Sequence, residues 1–526
     1  MKSSTLRHFS ALHTWTGLIA GFALFVAFYC GAITVFHEDL HHWQSPEHRH
    51  TAQAVTTDEL PALIDGMVRK HPQAAADFFV QLPSASAPSP VAYWKKEDGE
   101  WTHAPLRVAA GLVDEAPHSG LADLINSLHF SLGLPVAGIY VMGIVSMMYG
   151  VALVSGVLIH LPLLLRDLFA LRSGRNLKRF WQDAHNAIGV CSLPFHIVFA
   201  ISGALLCLSA VLIALMNVPV FGGELPLEIR RATRVSTGAD AAGEASPMQS
   251  PAALVTAARA AAPEFEPKWL RYYQYGDRAA QVEVRGTSPR ALAVSGGVAL
   301  EAATGRVLNV QTGGRNDANH AAYAGLYALH FGSYGGAIVQ GLYGLLGLAG
   351  AFLFFSGNLL WIEARRKRQQ VAQPTHLVRM AQATIGVCVG CCAAVSAAFV
   401  ATQIAAAMPG ADRELIEKSA CFGVFFAALA WSFVRPPSRA AVELLLLTAA
   451  LTASIPLSHG ALTGDHLLHS ALLGDWVLLG IDLCALLMAA GYVWLAALTR
   501  KRALDGDPNS VWAAPTDGTQ PMRQAI

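Results

Sequence analysis

Eight runs in this 526-residue chain are apolar for long enough to cross a lipid bilayer, and this limits what the rest of the chain can fold into. They lie at roughly 14–36, 137–164, 186–215, 336–362, 379–406, 416–434, 440–458 and 473–498. In hydrocarbon every backbone N–H and C=O must be paired within its own segment, so runs of this length are expected to be helices. Composition agrees: 53% of residues are hydrophobic and 14% charged, against about 25% charged in an ordinary soluble domain. The net charge of +1 gives no polyelectrolyte character, and no nucleic-acid partner is expected. The eight cysteines fall inside or beside apolar runs, where a thiol is commonly a small hydrophobe and not half of a disulfide. Histidine stands out, with twenty residues, several at the edges of runs.

Basic residues set the expected orientation. Arg166, Arg172, Arg175, Lys178 and Arg179 follow the second run, and Arg365, Arg366, Lys367 and Arg368 follow the fourth. Arg435 and Arg439 lie between the sixth and seventh, and Arg500, Lys501 and Arg502 follow the eighth. All fall on one side if both termini are cytoplasmic, as the positive-inside rule predicts. The first run lacks a small-residue cleavage pattern and reads as a retained anchor, 1–36. Segments 37–136 and 216–335 then lie outside. Each has a helical stretch ("TTDELPALIDGMVRKH", "PAALVTAARAAAP") and short alternating runs ("FFVQL", "AQVEVRG", "GRVLNV"), predicting two small α+β domains. The tail 505–526 reads as disordered.

The chain also repeats itself. "SLHFSLGLPVAGIYVMGIVSMMYGVALVSG" starts at Ser127 and "ALHFGSYGGAIVQGLYGLLGLAGAFLFFSG" at Ala328. Both carry Leu-His-Phe, a glycine fourteen residues after the histidine (Gly143, Gly344) and a closing Ser-Gly. "HTWTGLIAG" at His13 likewise matches "HNAIGVCSL" at His185: glycine follows each by four residues (Gly17, Gly189) and Gly-Ala by eighteen (Gly31-Ala32, Gly203-Ala204). Residues 1–165 and 175–362 thus look like two copies of one unit running in the same direction, which predicts a pseudo-twofold along the membrane normal. His13 would face His185 near the inner surface, and His129 would face His330 near the outer one. Two such pairs make natural bis-imidazole sites for b-type haem, two per chain, with Gly17 and Gly189 clearing a face for a flat macrocycle. His160, whose counterpart is Trp361, and His196, eleven residues after His185, compete as ligands but have no symmetric mate.

"HTWTGLIAG", "GVLIHLPLLLRDLFALR", "RFWQDAHNAIGV", "VALEAATGRVLNV" and "LHFGSYGG…SGNLLWIEARRKR" together resemble the PepSY-associated transmembrane helix family over about residues 5–370. The resemblance implies a bacterial inner-membrane protein with periplasmic PepSY-type domains and haem held by helix histidines, here His13, His129, His185 and His330. It further implies a siderophore-iron reductase, in which electrons pass from a quinol or a cytoplasmic reductase across the membrane to a periplasmic ferric siderophore or ferric chelate, and ferrous iron is released. No Gly-x-Gly-x-x-Gly or Walker sequence suggests a bound nucleotide.

Four further spans (379–498) depart from the family's four-helix core and suit quinol docking, transport of released iron or oligomerisation. They carry the Cys-x-x-Cys of "CVGCCAAVSAA", which reads as packing, and an outer loop where His466 and His469, three apart, are candidates to share an ion. Asp482 inside the eighth span has no evident partner in the sequence. Tyr272, Tyr273 and Tyr275 are candidates to line an acceptor surface. Two other functions fit the pattern: a transporter of iron or an iron chelate, and a non-catalytic periplasmic binding or regulatory protein.

Overall fold

The computed structural model describes residues 3–45, 56, 58–83, 90–97, 99, 101–106, 119–160, 177–236, 238, 240–288, 291–292 and 295–515. Arg166, Arg172, Arg175 and the end of the second predicted span lie outside them. Among the described residues, eight helices are long and apolar enough to cross a membrane. These are α1 (Ser3–Thr34), α5 (Ala137–His160), α7 (Leu193–Phe221), α11 (Gly336–Arg365), α12 (Thr375–Ala406), α13 (Arg413–Val434), α14 (Pro437–Thr463) and α16 (Trp476–Asp505). Shorter helices are α2 (His37–Gln44), α3 (Leu60–Lys70), α4 (Leu121–Ser131), α6 (Leu177–Cys191), α8 (Leu225–Thr233), α9 (Pro251–Ala261), α10 (Ala318–Phe331) and α15 (Leu467–Leu473). The chain divides into a helical unit, Met1–Pro46, Pro117–Cys207 and Gly344–Ile526, and a sheet unit, Glu47–Ala116 and Leu208–Tyr343.

Seven of the predicted spans match a helix to within several residues, except that α1 begins well before the predicted start. The third, 186–215, is divided. His185 lies on α6, and α7 begins after Ser192. Pro194 has no N–H to offer the Val190 carbonyl, so the helix is interrupted at Ser192, while the Ser192 N–H still reaches the Ile188 carbonyl and the His196 N–H the Ser192 carbonyl, each at 3.0 Å. His129 also lies off the spans. It is near the end of α4, which stops at Leu132 and Gly133, both with positive φ, before α5 begins. The second copy does the same, with His330 on α10 and Gly332 in the left-handed conformation after it.

In the helical unit, α4 is held at both ends of its first turn. Glu417 of α13 accepts hydrogen bonds from Ser119 Oγ (2.5 Å) and the Gly120 N–H (2.8 Å), and Gln44 Oε1 accepts the Ala122 N–H (2.9 Å). A carboxylate at a helix amino terminus meets unpaired N–H groups and the positive end of the dipole. The additional helices therefore fasten the helix that carries His129. Cys30, Cys388, Cys391, Cys392 and Cys421 all lie in the buried apolar cluster of this unit. The disordered-tail expectation is corrected for 506–515. Arg366 pairs with Asp507 (2.9 Å), Gln373 Nε2 donates to the Asn509 carbonyl, and Val511 and Trp512 pack against Leu377 and Ala381. Residues 516–526 lie outside those described.

The sheet unit joins what the sequence presents as two segments. Strands β1 (Asp77–Gln81), β2 (Val91–Lys95) and β3 (Trp101–Pro105) come from the first copy. Strands β4 (Glu266–Tyr273), β5 (Gln281–Thr287), β6 (Ser295–Glu301) and β7 (Val307–Gln311) come from the second. Both segments have the expected α+β character, but their strands form one antiparallel sheet in the order β3-β2-β1-β4-β5-β6-β7. The leading strands of the two copies, β1 and β4, pair at its centre, with Asp77 opposite Tyr273 and Gln81 opposite Trp269. One face is covered by α3, through Leu60, Ile64 and Met67 at helical spacing, and by α9, through Leu254 and Ala258. Tyr272 is fully buried there, stacked on Phe78 (5.1 Å), and Tyr273 is also buried. Tyr275 donates to Asp65 (2.8 Å). Neither Tyr272 nor Tyr273 is available to line an acceptor surface.

One carboxylate gives a pH prediction for this unit. The N–H groups of Ala279, Ala242 and Gly243 hold the exposed Asp277 carboxyl below its ordinary 3.8. A depressed carboxyl pKa contributes stability that is complete above the unfolded value and lost as pH falls through the folded one. The protection factors of the Ala242 and Gly243 amides, taken relative to the intrinsic exchange rate at each pH, are therefore expected to fall only below about pH 4.

Candidate functional site

The fold brings His13 of α1 and His185 of α6 together, with ring centroids 6.2 Å apart and planes at 79°. Each ring is anchored in the same way. His13 Nδ1 lies 2.8 Å from the Ala152 carbonyl of α5, and His185 Nδ1 lies 3.1 Å from the Leu353 carbonyl of α11. A carbonyl only accepts, so Nδ1 carries the proton in both rings and Nε2 carries the lone pair. Ser356 donates to the same Leu353 carbonyl (2.9 Å), and the Ser155 hydroxyl lies between the Val151 (2.7 Å) and Ala152 (3.0 Å) carbonyls. The next residue in each copy, Gly156 or Gly357, is where the ring lies. A Cβ at Gly156 would stand 3.0 Å from His13 Cε1, and one at Gly357 would stand 3.4 Å from His185 Cε1.

His129 repeats the device on α1. Its Nδ1 lies 2.7 Å from the Ala27 carbonyl, and a Cβ at Gly31, four residues on, would stand 2.7 Å from the same nitrogen. In all three cases the accepting carbonyl is four residues before the glycine, one turn back on the same helix face. Spacing revealed the recurring Ser-Gly but not its purpose, because the glycine serves a histidine on a different helix. His330 lies on α10 in the sheet unit, its ring edge-on to Phe331 at 5.2 Å.

The donor set fits a metal held between two imidazoles. At metal–nitrogen distances of ~2 Å, two rings sharing one ion have centroids on the order of 6 Å apart. An Nδ1–H fixed to a carbonyl is the usual support that orients a ligating histidine. A Cβ at Gly17 would meet no atom outside its own turns of helix within 4 Å, and one at Gly189 would touch Leu353 Cδ1 at 3.7 Å.

Other sequence candidates have different surroundings. His196 is fully buried. Ser192 gives its hydroxyl proton to the Ile188 carbonyl and accepts from His196 Nε2 (2.9 Å), while Tyr149 donates to Nδ1 (2.5 Å). Both ring nitrogens are thus engaged, and His196 packs with Tyr149 beside Phe28, Phe195 and Phe354. His160 ends α5. His466 caps α15, its Nδ1 accepting the His469 N–H (3.1 Å), with the two rings 5.8 Å apart. Asp482 accepts from His459 Nδ1 (2.8 Å) and Trp43 Nε1 (3.3 Å), giving the intramembrane carboxyl the partners the sequence did not reveal.

His37, His41 and Asp123 bring one ligand atom each within 4.8 Å, a group the sequence reading did not pick out. Its His41 Nδ1 already accepts from the Gln44 amide, whose orientation is set by the Ala122 N–H and the Ser119 carbonyl.

Eight apolar helices, a paired-histidine site between two repeats and one antiparallel sheet assembled from both copies define a multi-pass membrane protein built by duplication. The chain belongs to the PepSY-associated TM region family, whose model matches residues 10–364. It is also similar to "Uncharacterized protein PA4219" of Pseudomonas aeruginosa, with 29% identity over 296 residues, 54% of this chain and 73% of the relative.

Proposed function

We propose that this protein is a haem-containing oxidoreductase of a bacterial inner membrane, with cytoplasmic termini and the sheet unit on the periplasmic side. It passes electrons to a ferric siderophore or other ferric chelate. The observation that carries the reading is the facing pair His13 and His185, each with Nδ1–H held by a carbonyl and Nε2 left as a lone-pair donor. Haem, when bound, would supply a one-electron carrier. His13 and His185 would hold it, and His129 and His330 are the candidates for a second haem. Ala152, Leu353, Ser155 and Ser356 fix the inner rings, and Gly156 and Gly357 give them room. Each ferric ion takes one electron. A quinol donor gives up two electrons and two protons, or a cytoplasmic reductase supplies electrons in its place. Ferrous iron is a softer, less charged ion than ferric and is held less tightly by a chelator built from oxygen anions.

The test is stopped-flow mixing of the dithionite-reduced, haem-loaded protein with ferric citrate under anaerobic conditions. Reoxidation with one ferrous ion formed per haem oxidised supports the reading. A reduced spectrum unchanged by the ferric chelate contradicts it and favours transport or a binding role. Gly17→Leu supplies a structural check. A Cβ there would meet no atom outside its own turns of helix within 4 Å, so thermal stability of the haem-free chain is expected not to fall. Haem content is expected to fall several-fold, because the leucine fills the face left clear beside His13.

A further inference from the structure

On the face of the sheet opposite α3 and α9, a cavity of about 310 Å³ is lined by Phe79, Lys268, Trp269, Arg271, Arg285 and the backbone of Gly286 and Gly296, with Thr287 and Ser295 at its rim. Gly286 and Gly296 are cross-strand partners, and a Cβ on either would stand 1.9 Å from the Glu266 carbonyl oxygen or 2.2 Å from that of Gln311. Close backbone approach therefore imposes glycine at both positions, and neither contributes a side chain. The pairing of β4 with β5 is irregular between Pro267 and Trp269, the kind of bulge that re-aims a side chain.

The walls are aromatic and cationic. Trp269 lies 5.6 Å from Phe79 and 5.7 Å from Tyr93, and Phe79 stacks on Tyr93 at 4.8 Å with planes at 3°. Arg271 is fixed by a two-pronged bond to Asp77, both contacts 2.8 Å, and lies over Tyr273 and Trp101. Among the described residues Arg285 makes a 3.4 Å contact with Glu283 Oε2, while Glu283 Oε1 already accepts the N–H groups of Val235 and Ser236. Lys268 is exposed and has no ion-pair partner among the described residues. Three cations thus line the cavity with no carboxylate among the lining residues. Asp77 pairs with Arg271 and Glu283 contacts Arg285, which leaves Lys268 with the least compensated charge, and Glu266 lies opposite Thr287 at the rim.

We propose that this cavity binds a small organic anion carrying an aromatic ring, with the ring against Trp269 and Phe79 and the anionic oxygens toward Lys268 and Arg285. Size and charge both favour this class. The volume lies at the small end of ligand pockets and suits one or two rings, and guanidinium groups present paired donors to carboxylate or phenolate oxygens. In the redox reading of the preceding section the cavity would receive the anionic chelating groups of the ferric acceptor. That assignment rests on the redox reading, whereas anion binding does not.

The test is ¹⁹F NMR line broadening of 5-fluorosalicylate by the full chain in lipid nanodiscs, with 3-fluorobenzyl alcohol as the neutral aromatic control and fluoroacetate as the non-aromatic anion. Saturable binding of 5-fluorosalicylate is expected, at least tenfold tighter than either control and weakened by salt. Lys268→Glu and Arg285→Gln should each weaken it at least fivefold. Lys268 is exposed, so its substitution leaves folding intact, and an unchanged visible haem spectrum in both variants serves as the check on the rest of the chain. Equal broadening in wild type and Lys268→Glu, or equal binding of the neutral control, would overturn the proposal. A colourless protein that still binds 5-fluorosalicylate selectively would sink the redox reading and leave this one standing.

Discussion

His13→Ala and His185→Ala are each expected to cut the haem of the purified protein from about two per chain to about one, with the same species lost in both variants. The reason is geometric. The two rings lie with centroids 6.2 Å apart at equivalent places in the two repeats, so either substitution removes one of the two imidazoles of a single site. The double variant should therefore lose no more haem than the singles, a non-additivity expected of two residues that act as one unit. His196→Ala is the informative contrast. That ring has both nitrogens occupied by Tyr149 and Ser192, so its removal should lower thermal stability through the buried hydroxyls left behind but retain both haems. Pyridine haemochrome quantitation on the four variants checks all of these outcomes.

The second large effect is a graded one, read from three glycines. Gly31→Ala would place a methyl 2.7 Å from His129 Nδ1, too close for any real contact, while that nitrogen is tied to the Ala27 carbonyl. The ring must leave its seat, at an overpacking cost of ~1–3 kcal/mol. Gly156→Ala would meet His13 at 3.0–3.2 Å and require a shift of a few tenths of an ångström. Gly357→Ala would meet His185 at 3.4 Å, an ordinary contact. The expected order of disturbance is therefore Gly31 well above Gly156, with Gly357 close to wild type. Resonance Raman or magnetic circular dichroism of the ligated iron would measure it. Gly357→Ala as the most damaging of the three would contradict the seating described for these rings.

Much of this architecture could be read from the sequence because its signals are local. A helix rises 1.5 Å per residue, so a run of twenty apolar residues marks a span whatever surrounds it. The duplication was equally legible, since His13 and His185 carry the same neighbours at the same offsets. What the sequence concealed depends on distant partners. Nothing in "FFVQL" reveals that Gln81 will pair with Trp269, nearly two hundred residues on, and so two apparent domains share one sheet. The Ser-Gly pairs were visible, but their role required knowing which helix faces which histidine. Pro194 was a local signal of the break before α7, though a long apolar run overshadowed it. The partners of Asp482, His459 and Trp43, come from two other helices and no spacing rule connects them. Val511 and Trp512 gave the tail two apolar anchors amid Pro, Asn and Gly, too few for a composition argument to register.

The central claim is that the paired histidines hold haem, and a reduced-minus-oxidised visible spectrum of the wild-type protein, purified from cells with ample haem, tests it most directly. The account predicts a sharp low-spin b-type α-band on reduction and about two haems per chain. A colourless protein that is folded by circular dichroism would contradict it, and the matched histidines and glycines would then stand as packing or ion-pathway elements of a duplicated membrane bundle.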